Sequence, residues 1–469
     1  MPARSKLPPI LALLAALVPV SGTAAGASPP AILPEAQLRA VDDSVREWLR
    51  ETGAPSVSVS VVLDGRLLLA RAWGAAVLNP DRPADAATRY AVDSISKQFT
   101  AAAVLLEQAD GRLSLDDTVG RFLPTLSGGN TVTIRQLLNH TAGYRDYWPQ
   151  DYVPAWMRRP VGRDALLAAW AGNRPLDFVP GTDWQYSNTG YAVAGAIVER
   201  RTGMKLMDVL RARIFKPLGM DDVTEDDTAP LPDADAHSYT RHALGPVRPA
   251  PKEGAGWLFA ASELAMTPTD LARWNISLMN RSLLPAAAYD AMETSTVLRN
   301  GRDTRYGLGL SLASTDGWPA LSHDGAGSGF LAANAVWPAQ RAAICAFTNQ
   351  DWAGPDEVVD RIAFVVLPPP PEDARARTLF AQLRAGRIDR TLLTDDANAE
   401  LDDRAVADAA LGLAEAGPTR LFRLDRQAER GGLVTRLWRV RTANRRLRVV
   451  ERSRPDGRIE QFSVMPSPD

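Results

Sequence analysis

From Glu35 to Thr52 apolar residues recur at three- and four-residue spacing, at Leu38, Val41, Val45, Trp48 and Leu49. That spacing predicts an amphipathic helix with one buried stripe. The period then changes. Ser56-Val57-Ser58-Val59-Ser60-Val61 alternates strictly, and Asp64-Gly65 precedes Leu67-Leu68-Leu69, which predicts a β-hairpin. A helix followed by antiparallel strands predicts a helix packed on a sheet. The stretch from about 111 to 220 reads as mainly helical with loops, including helices at 133 to 139 and 189 to 201. Thr267-Pro268-Thr269-Asp270 marks another helix start. Tyr306-Gly307-Leu308-Gly309-Leu310 and the stretches around Val336 and Ile344 read as returning strands. A helix over 355 to 367 is stopped by four prolines, 368 to 371.

These patterns divide the chain. A main α/β domain spans 35–367, a proline-rich linker 368–375, and a small α+β accessory domain 376–469. The last has a helix near Leu379, strand-like pieces at Leu433-Val434-Thr435 and Leu447-Arg448-Val449, and no visible chemistry. At the other end, Arg4 and Lys6 precede an apolar run from Ile10 to Val20 and the small-residue pattern Ala25-Gly26-Ala27. Residues 1–27 therefore read as a signal peptide, and the protein as exported, periplasmic or secreted. No further segment reads as membrane-spanning after signal removal. The chain of 469 residues is 45% hydrophobic and 23% charged with a net charge of −2, an ordinary globular balance that gives no reason to expect nucleic acid as a partner. Its single cysteine, Cys345, lies in an apolar run and reads as buried packing; one cysteine makes no intrachain disulfide.

The chemistry centres on Ala91-Val92-Asp93-Ser94-Ile95-Ser96-Lys97-Gln98, at the expected start of a helix. Three residues are about one helical turn, so Ser94 and Lys97 share a face. A serine hydroxyl needs a base before it acts as a nucleophile, and a buried amine one turn away meets that need. The plainer alternative is a capping serine and a solvated lysine. Against it, the chain has only five lysines (6, 97, 205, 216 and 252) among 53 basic residues, and only Lys97 has a serine three before it. Arginine would not release a proton there. Tyr186-Ser187-Asn188 lies just before a helix. A phenol beside the Lys97 ammonium would have its pKa lowered, which makes Tyr186 a candidate proton acceptor, and Asn188 a candidate partner of substrate and Lys97. A buried tyrosine with a capping asparagine is the alternative. Ser322-His323-Asp324-Gly325-Ala326-Gly327 is glycine-rich and suits a backbone that approaches a ligand, or a simple turn.

Ser94-x-x-Lys97, Tyr186-x-Asn188 and His323-x-Gly325, in that order, resemble the motifs of the serine β-lactamase-related superfamily. That group contains class C β-lactamases, penicillin-binding carboxypeptidases, D-aminopeptidases and family VIII esterases. Leu137-Leu138-Asn139-His140-Thr141-Ala142-Gly143 and Phe215-Lys216-Pro217-Leu218-Gly219-Met220 also resemble that family, and the likeness covers about 35 to 367. It implies an antiparallel sheet flanked by helices with a helical insert. It implies Ser94 as the acylated nucleophile, Lys97 as a proton-transfer partner and Tyr186 as general base, then acid. Asn188 would orient substrate and Lys97, His323 and Gly325 would line the substrate, and the amides of Ser94 and Ala326 would hold the oxyanion.

No cofactor or metal is implied, and the four histidines (140, 237, 242 and 323) show no ligand spacing. Many members have lysine where His323 stands. A mostly neutral imidazole suits a substrate carboxylate less well, so the expected substrate is a small ester or a peptide containing a D-amino acid. β-Lactamase or D-alanyl-D-alanine carboxypeptidase activity, or a non-catalytic module that binds peptidoglycan peptides, is the alternative. His140 is expected to serve its loop. Trp184, Trp257 and Phe330 are candidates for the acyl pocket or, more commonly for such residues, for core packing.

Overall fold

The computed structural model describes residues 32–315 and 317–467. The expected signal at 1–27 lies outside the described residues. The helices used below are α1 (Glu35–Thr52), α2 (Ser96–Ala109), α3 (Asn188–Thr202), α4 (Pro268–Asn280), α5 (Asp356–Val366) and α6 (Pro371–Arg384). The main sheet contains β1 (Ser56–Leu63), β2 (Arg66–Leu78), β3 (Asp81–Pro83), β4 (Ser311–Thr315), β5 (Trp318–Gly327), β6 (Phe330–Trp337) and β7 (Ala342–Thr348).

The stripe of α1 is buried at Val41, Val45 and Trp48, and left-handed Gly53 ends the helix by donating its N–H to the Leu49 carbonyl. β1 and β2 form the expected hairpin, with a register slip between Val61 and Val62. The sheet is antiparallel throughout, in the order β3-β2-β1-β7-β6-β5-β4. The first and last segments of the domain thus share one sheet, and β5 comes to lie beside the turn that carries Ser94.

The serine–valine alternation of β1 does not separate a dry face from a wet one, because residues 56 to 62 are all buried. Val57, Val59 and Val61 pack with α1 and α5. The serines face the second helical layer, where the hydroxyls of Ser56 and Ser60 are paired internally and that of Ser58 is buried without a partner. Ser56 Oγ donates to Asn349 Oδ1 at 2.7 Å, and Ser60 Oγ lies 2.9 Å from Cys345 Sγ. Small side chains let that layer come close. It contains α2, whose residues Ser96 to Glu107 are all buried, so α2 is a central helix rather than a surface one. α4 starts at a capping box between Thr267 and Asp270, with Pro268 in its first turn.

The region 368–375, expected as a linker, contains the start of α6 at Pro371. A proline that blocks one helix is pre-organised to open the next. Beyond it, Thr419–Arg430, Leu433–Thr442, Arg446–Ser453 and Ile459–Pro466 form a separate four-stranded antiparallel sheet in sequence order. It packs on α6 around Leu379, Trp438, Val449 and Ile459. Arg441 pairs with Glu51 of α1 and Glu357 of α5, Arg423 with Asp360, and Arg420 with Glu47. These anchors lie on the α1–α5 face of the main sheet, opposite α2.

Candidate active site

Ser94 sits in the one-turn 3₁₀ segment Asp93–Ile95 that runs into α2. Lys97 is fully buried. Its Nζ lies 2.9 Å from Ser94 Oγ, 2.7 Å from Asn188 Oδ1 and 2.9 Å from the Ala261 carbonyl oxygen. Loss of water around the amine lowers its pKa to about 7, against the opposing attraction of Asp146 and Asp93. A primary amine half neutral near pH 7 and in contact with a serine hydroxyl is chemically a base for that serine.

Tyr186 lies beside Ser94, and its ring centroid is 4.9 Å from Lys97 Nζ. Its pKa differs from the expectation above. Burial moves the phenol up, with the neighbouring Ser94 hydroxyl opposing, so Tyr186 is a protonated phenol at neutral pH. The expected lowering needs a permanent ammonium beside it, and the burial that holds Lys97 near neutrality weakens that cation. Asn188 begins α3, but Ser187 is the residue that caps it, accepting from the Gly190 amide at 3.2 Å. The Asn188 side chain is thereby left for Lys97.

The glycines of β5 have a steric cause. A Cβ on Gly325 would overlap the Val92 carbonyl, and one on Gly327 the Asp93 carboxylate. β5 therefore lies directly on residues 92 and 93, with Ala326 between the two contact points. His323 is buried. Its Nδ1 lies 2.7 Å from the Asp324 carbonyl oxygen and its Nε2 2.9 Å from Tyr306 Oη. A carbonyl only accepts, so Nδ1 carries the proton and Tyr306 donates to Nε2. Burial, with repulsion from Lys97, lowers the His323 pKa to about 4, so this imidazole is neutral.

His140 accepts the Ser187 amide on Nδ1 at 3.1 Å and packs against Tyr186 at 4.4 Å between ring centroids. It holds the loop that carries Tyr186. Trp184 joins this group, edge-on to His140 at 5.7 Å. Trp257 packs instead on Tyr147 and Trp156, and Phe330 on Tyr90.

Ser94, Lys97, Tyr186, Asn188 and His323 thus converge, with Gly325 and Ala326 alongside. Sequence reasoning missed three contributors. The Ala261 carbonyl is a backbone atom with no residue signature. Asp146 carried only the weak signal of lying beside the family-like stretch 137–143, and Tyr306 that of the stretch 306–310, read as a returning strand. Among the described residues, the carboxylates of Glu225, Asp227 and Glu263 lie close enough to consider a metal, with ligand atoms within 4.8 Å of one another. Asp227, however, already accepts the amides of Gly256, Leu258 and Phe259.

A family model described as Beta-lactamase matches residues 41–365, and the chain belongs to that family. A D-aminopeptidase from Cereibacter sphaeroides is 31% identical over 59% of this chain and 53% of its own length. The chain thus spans about half the length of that curated relative. A D-stereospecific amidohydrolase from a Streptomyces species is 28% identical with a TM-score of 0.59, covering 69% of this chain and 97% of its own. An octameric penicillin-binding protein homologue from Pyrococcus abyssi is 18% identical with a TM-score of 0.60, over 91% of this chain and 99% of its own, a likeness of fold.

Proposed function

We propose that the protein is a serine hydrolase that cleaves an amide or ester through an acyl-enzyme on Ser94, with small D-amino-acid amides or peptides as the favoured substrates. The observation that carries this is the buried Lys97 amine, with a pKa near 7 and its Nζ 2.9 Å from Ser94 Oγ.

As Ser94 Oγ bonds to the substrate carbonyl carbon, its proton passes to Lys97. The carbonyl electron pair moves onto oxygen, which the amides of Ser94 and Ala326 receive. The tetrahedral adduct then expels the leaving group. Tyr186, a protonated phenol beside Ser94, gives its proton to the leaving atom and is reprotonated from Lys97. Water then attacks the acyl carbon by the same route in reverse, and Ser94 regains its proton.

The neutral His323 supports the substrate class. It offers no permanent cation for a substrate carboxylate, which disfavours β-lactams and D-alanyl-D-alanine acids. The D-aminopeptidase and D-stereospecific amidohydrolase relatives favour a D-configured acyl group. Export, from the pattern at 1–27, belongs to the same proposal, as does the division into a hydrolase unit and an accessory unit.

The test is a substrate panel with Ser94→Ala beside the wild type: a D-alanyl anilide and its L-isomer, a short nitrophenyl ester, a D-alanyl-D-alanine peptide and a chromogenic cephalosporin. Serine-dependent turnover that favours the D-anilide is the expected result. Ester turnover alone would make it an esterase, and a fast cephalosporin rate would overturn the reading of His323. Equal rates in Ser94→Ala would remove the acyl-enzyme altogether.

A further inference from the structure

Asp146 follows the helix Ile134–Leu138 and its loop, and is 7% exposed. Its Oδ1 accepts the Asn188 amide at 3.2 Å and the Trp148 amide at 3.1 Å, and its Oδ2 accepts Asn188 Nδ2 at 3.3 Å. The two ends of a carboxamide have nearly the same shape but opposite hydrogen-bonding character. A carboxylate only accepts, so it selects the NH₂ end of Asn188. The reversed orientation would set oxygen against oxygen. The selection passes to the other end, where Asn188 presents Oδ1 to Lys97.

The consequence falls on the amine. A neutral amine has two N–H bonds and one lone pair. Two of the three neighbours of Nζ, Asn188 Oδ1 and the Ala261 carbonyl, are oxygens that only accept. They consume both N–H bonds, and the lone pair is left for the third neighbour, the Ser94 hydroxyl. With Asn188 reversed, its NH₂ would compete for the lone pair, and the amine would donate to Ser94 instead of accepting from it.

We infer that Asp146 is a positioning residue that makes Lys97 the acceptor of the Ser94 proton by fixing which end of the Asn188 carboxamide faces the amine. This rests on the serine-hydrolase reading. The step it serves is balanced: the Ser94 O–H proton moves to Nζ as the Oγ–carbon bond forms. The resulting ammonium then has three N–H bonds for the same three oxygens, so no neighbour has to move.

Asp146→Asn tests it. In that variant the amide oxygen is required where Oδ1 now accepts two backbone N–H groups. The new NH₂ therefore faces Asn188 and turns it round. The variant also removes the principal attraction that holds a proton on Lys97. The other titratable groups that face Lys97 are Asp93 from the preceding turn, His140 from the loop before Asp146, Tyr186 just before α3 and Tyr191 in its first turn, and His323 from β5. All of them stay.

The experiment is the rate of Ser94 labelling by a fluorophosphonate as a function of pH, in the full chain, for the wild type, Asp146→Asn and the exchange variant Asp146→Asn with Asn188→Asp. The first variant is expected to label at least about tenfold more slowly at its plateau, part of the roughly 10²–10⁴-fold that a well-placed base supplies. Its acid limb is expected below that of the wild type. The exchange variant moves the carboxylate into direct contact with Lys97, so its limb is expected above the wild type. A purely structural role would lower the amount of reactive protein and leave the limb in place. An unmoved limb or an unchanged plateau in Asp146→Asn overturns the inference while Ser94 still labels in the wild type. If that variant does not fold, the exchange variant decides: a limb that does not rise above that of the wild type overturns the inference. A wild type that does not label at Ser94 overturns the hydrolase reading and this inference with it.

Discussion

Lys97→Met isolates the central electrostatic feature without any substrate. Methionine nearly matches lysine in length but takes up no proton. In the folded protein the Lys97 pKa is about 7, against 10.5 for an unburied lysine. Between those values the unfolded chain holds a proton that the folded chain has released. The unfolded state binds more protons there, so wild-type stability rises with pH across the window. The slope is about 1.4 kcal/mol per pH unit, and the full span from about 7 to 10.5 amounts to about 5 kcal/mol. Loss of the amine also leaves Asn188 Oδ1 and the Ala261 carbonyl without their donor, about 1–3 kcal/mol each, but that cost does not depend on pH. The difference in unfolding free energy, wild type minus variant, is therefore flat below about pH 7 and then climbs. From about pH 7 to 9 the gain is about 3 kcal/mol, well outside the error of urea titrations. Groups common to both proteins cancel in the difference. A difference that stays flat from about pH 6 to 9 would mean that Lys97 keeps its ordinary proton, and the base assigned to Ser94 would be lost.

The same amine is expected to govern rate: if Lys97 is the proposed base, Ser94-dependent hydrolysis falls as pH drops through about 7, because only the neutral amine can take the serine proton. His323, with a pKa of about 4, adds no second step nearby, so a limb centred near 5 in the kcat/KM profile would contradict the assignment. Gly325→Ala forces β5 away from Val92 by roughly 1 Å and is expected to lower kcat/KM about 10²-fold, with about 1–3 kcal/mol of lost stability in a melt. A rate within twofold of wild type would show that β5 does not form part of the site. Trp438→Ala empties the centre of the C-terminal sheet and costs about 3–5 kcal/mol in its unfolding, yet leaves Ser94 labelling per folded molecule unchanged, since the named anchors of that sheet are on α1 and α5. A labelling rate that falls with folded protein intact would place the tail at the cleft after all.

What could be read without coordinates was whatever rests on local periodicity or on the order of motifs. The α1 stripe, the β1–β2 hairpin, the Thr267 cap and the convergence of residues 94, 97, 186, 188 and 323 all belong here. Each miss has a physical source outside the local pattern. Alternation in β1 marks two faces, but it does not say that both are covered, because serine is small enough for a close-packed layer when its hydroxyl finds an internal partner. Four prolines mark a break, but not that the last of them opens a helix. Asp146 has no spacing that ties it to Lys97; its influence runs through the amide of another residue.

The sign of the Tyr186 shift turned on something of the same kind. A lysine close to a tyrosine was expected to supply a cation and lower the phenol. The fold places that lysine where its cation is itself unfavourable, and desolvation then acts on both groups in opposite directions, lowering the amine and raising the phenol. The pair is thereby ordered as acceptor and donor: Lys97 is the group able to take a proton near pH 7, and Tyr186 is the group that has one to give. In the proposed mechanism, which of the two begins the reaction is decided by burial, a property of α2 at the centre of the helical layer rather than of the Ser-x-x-Lys spacing. A solvated copy of the same four residues on a surface helix would have the geometry without the base.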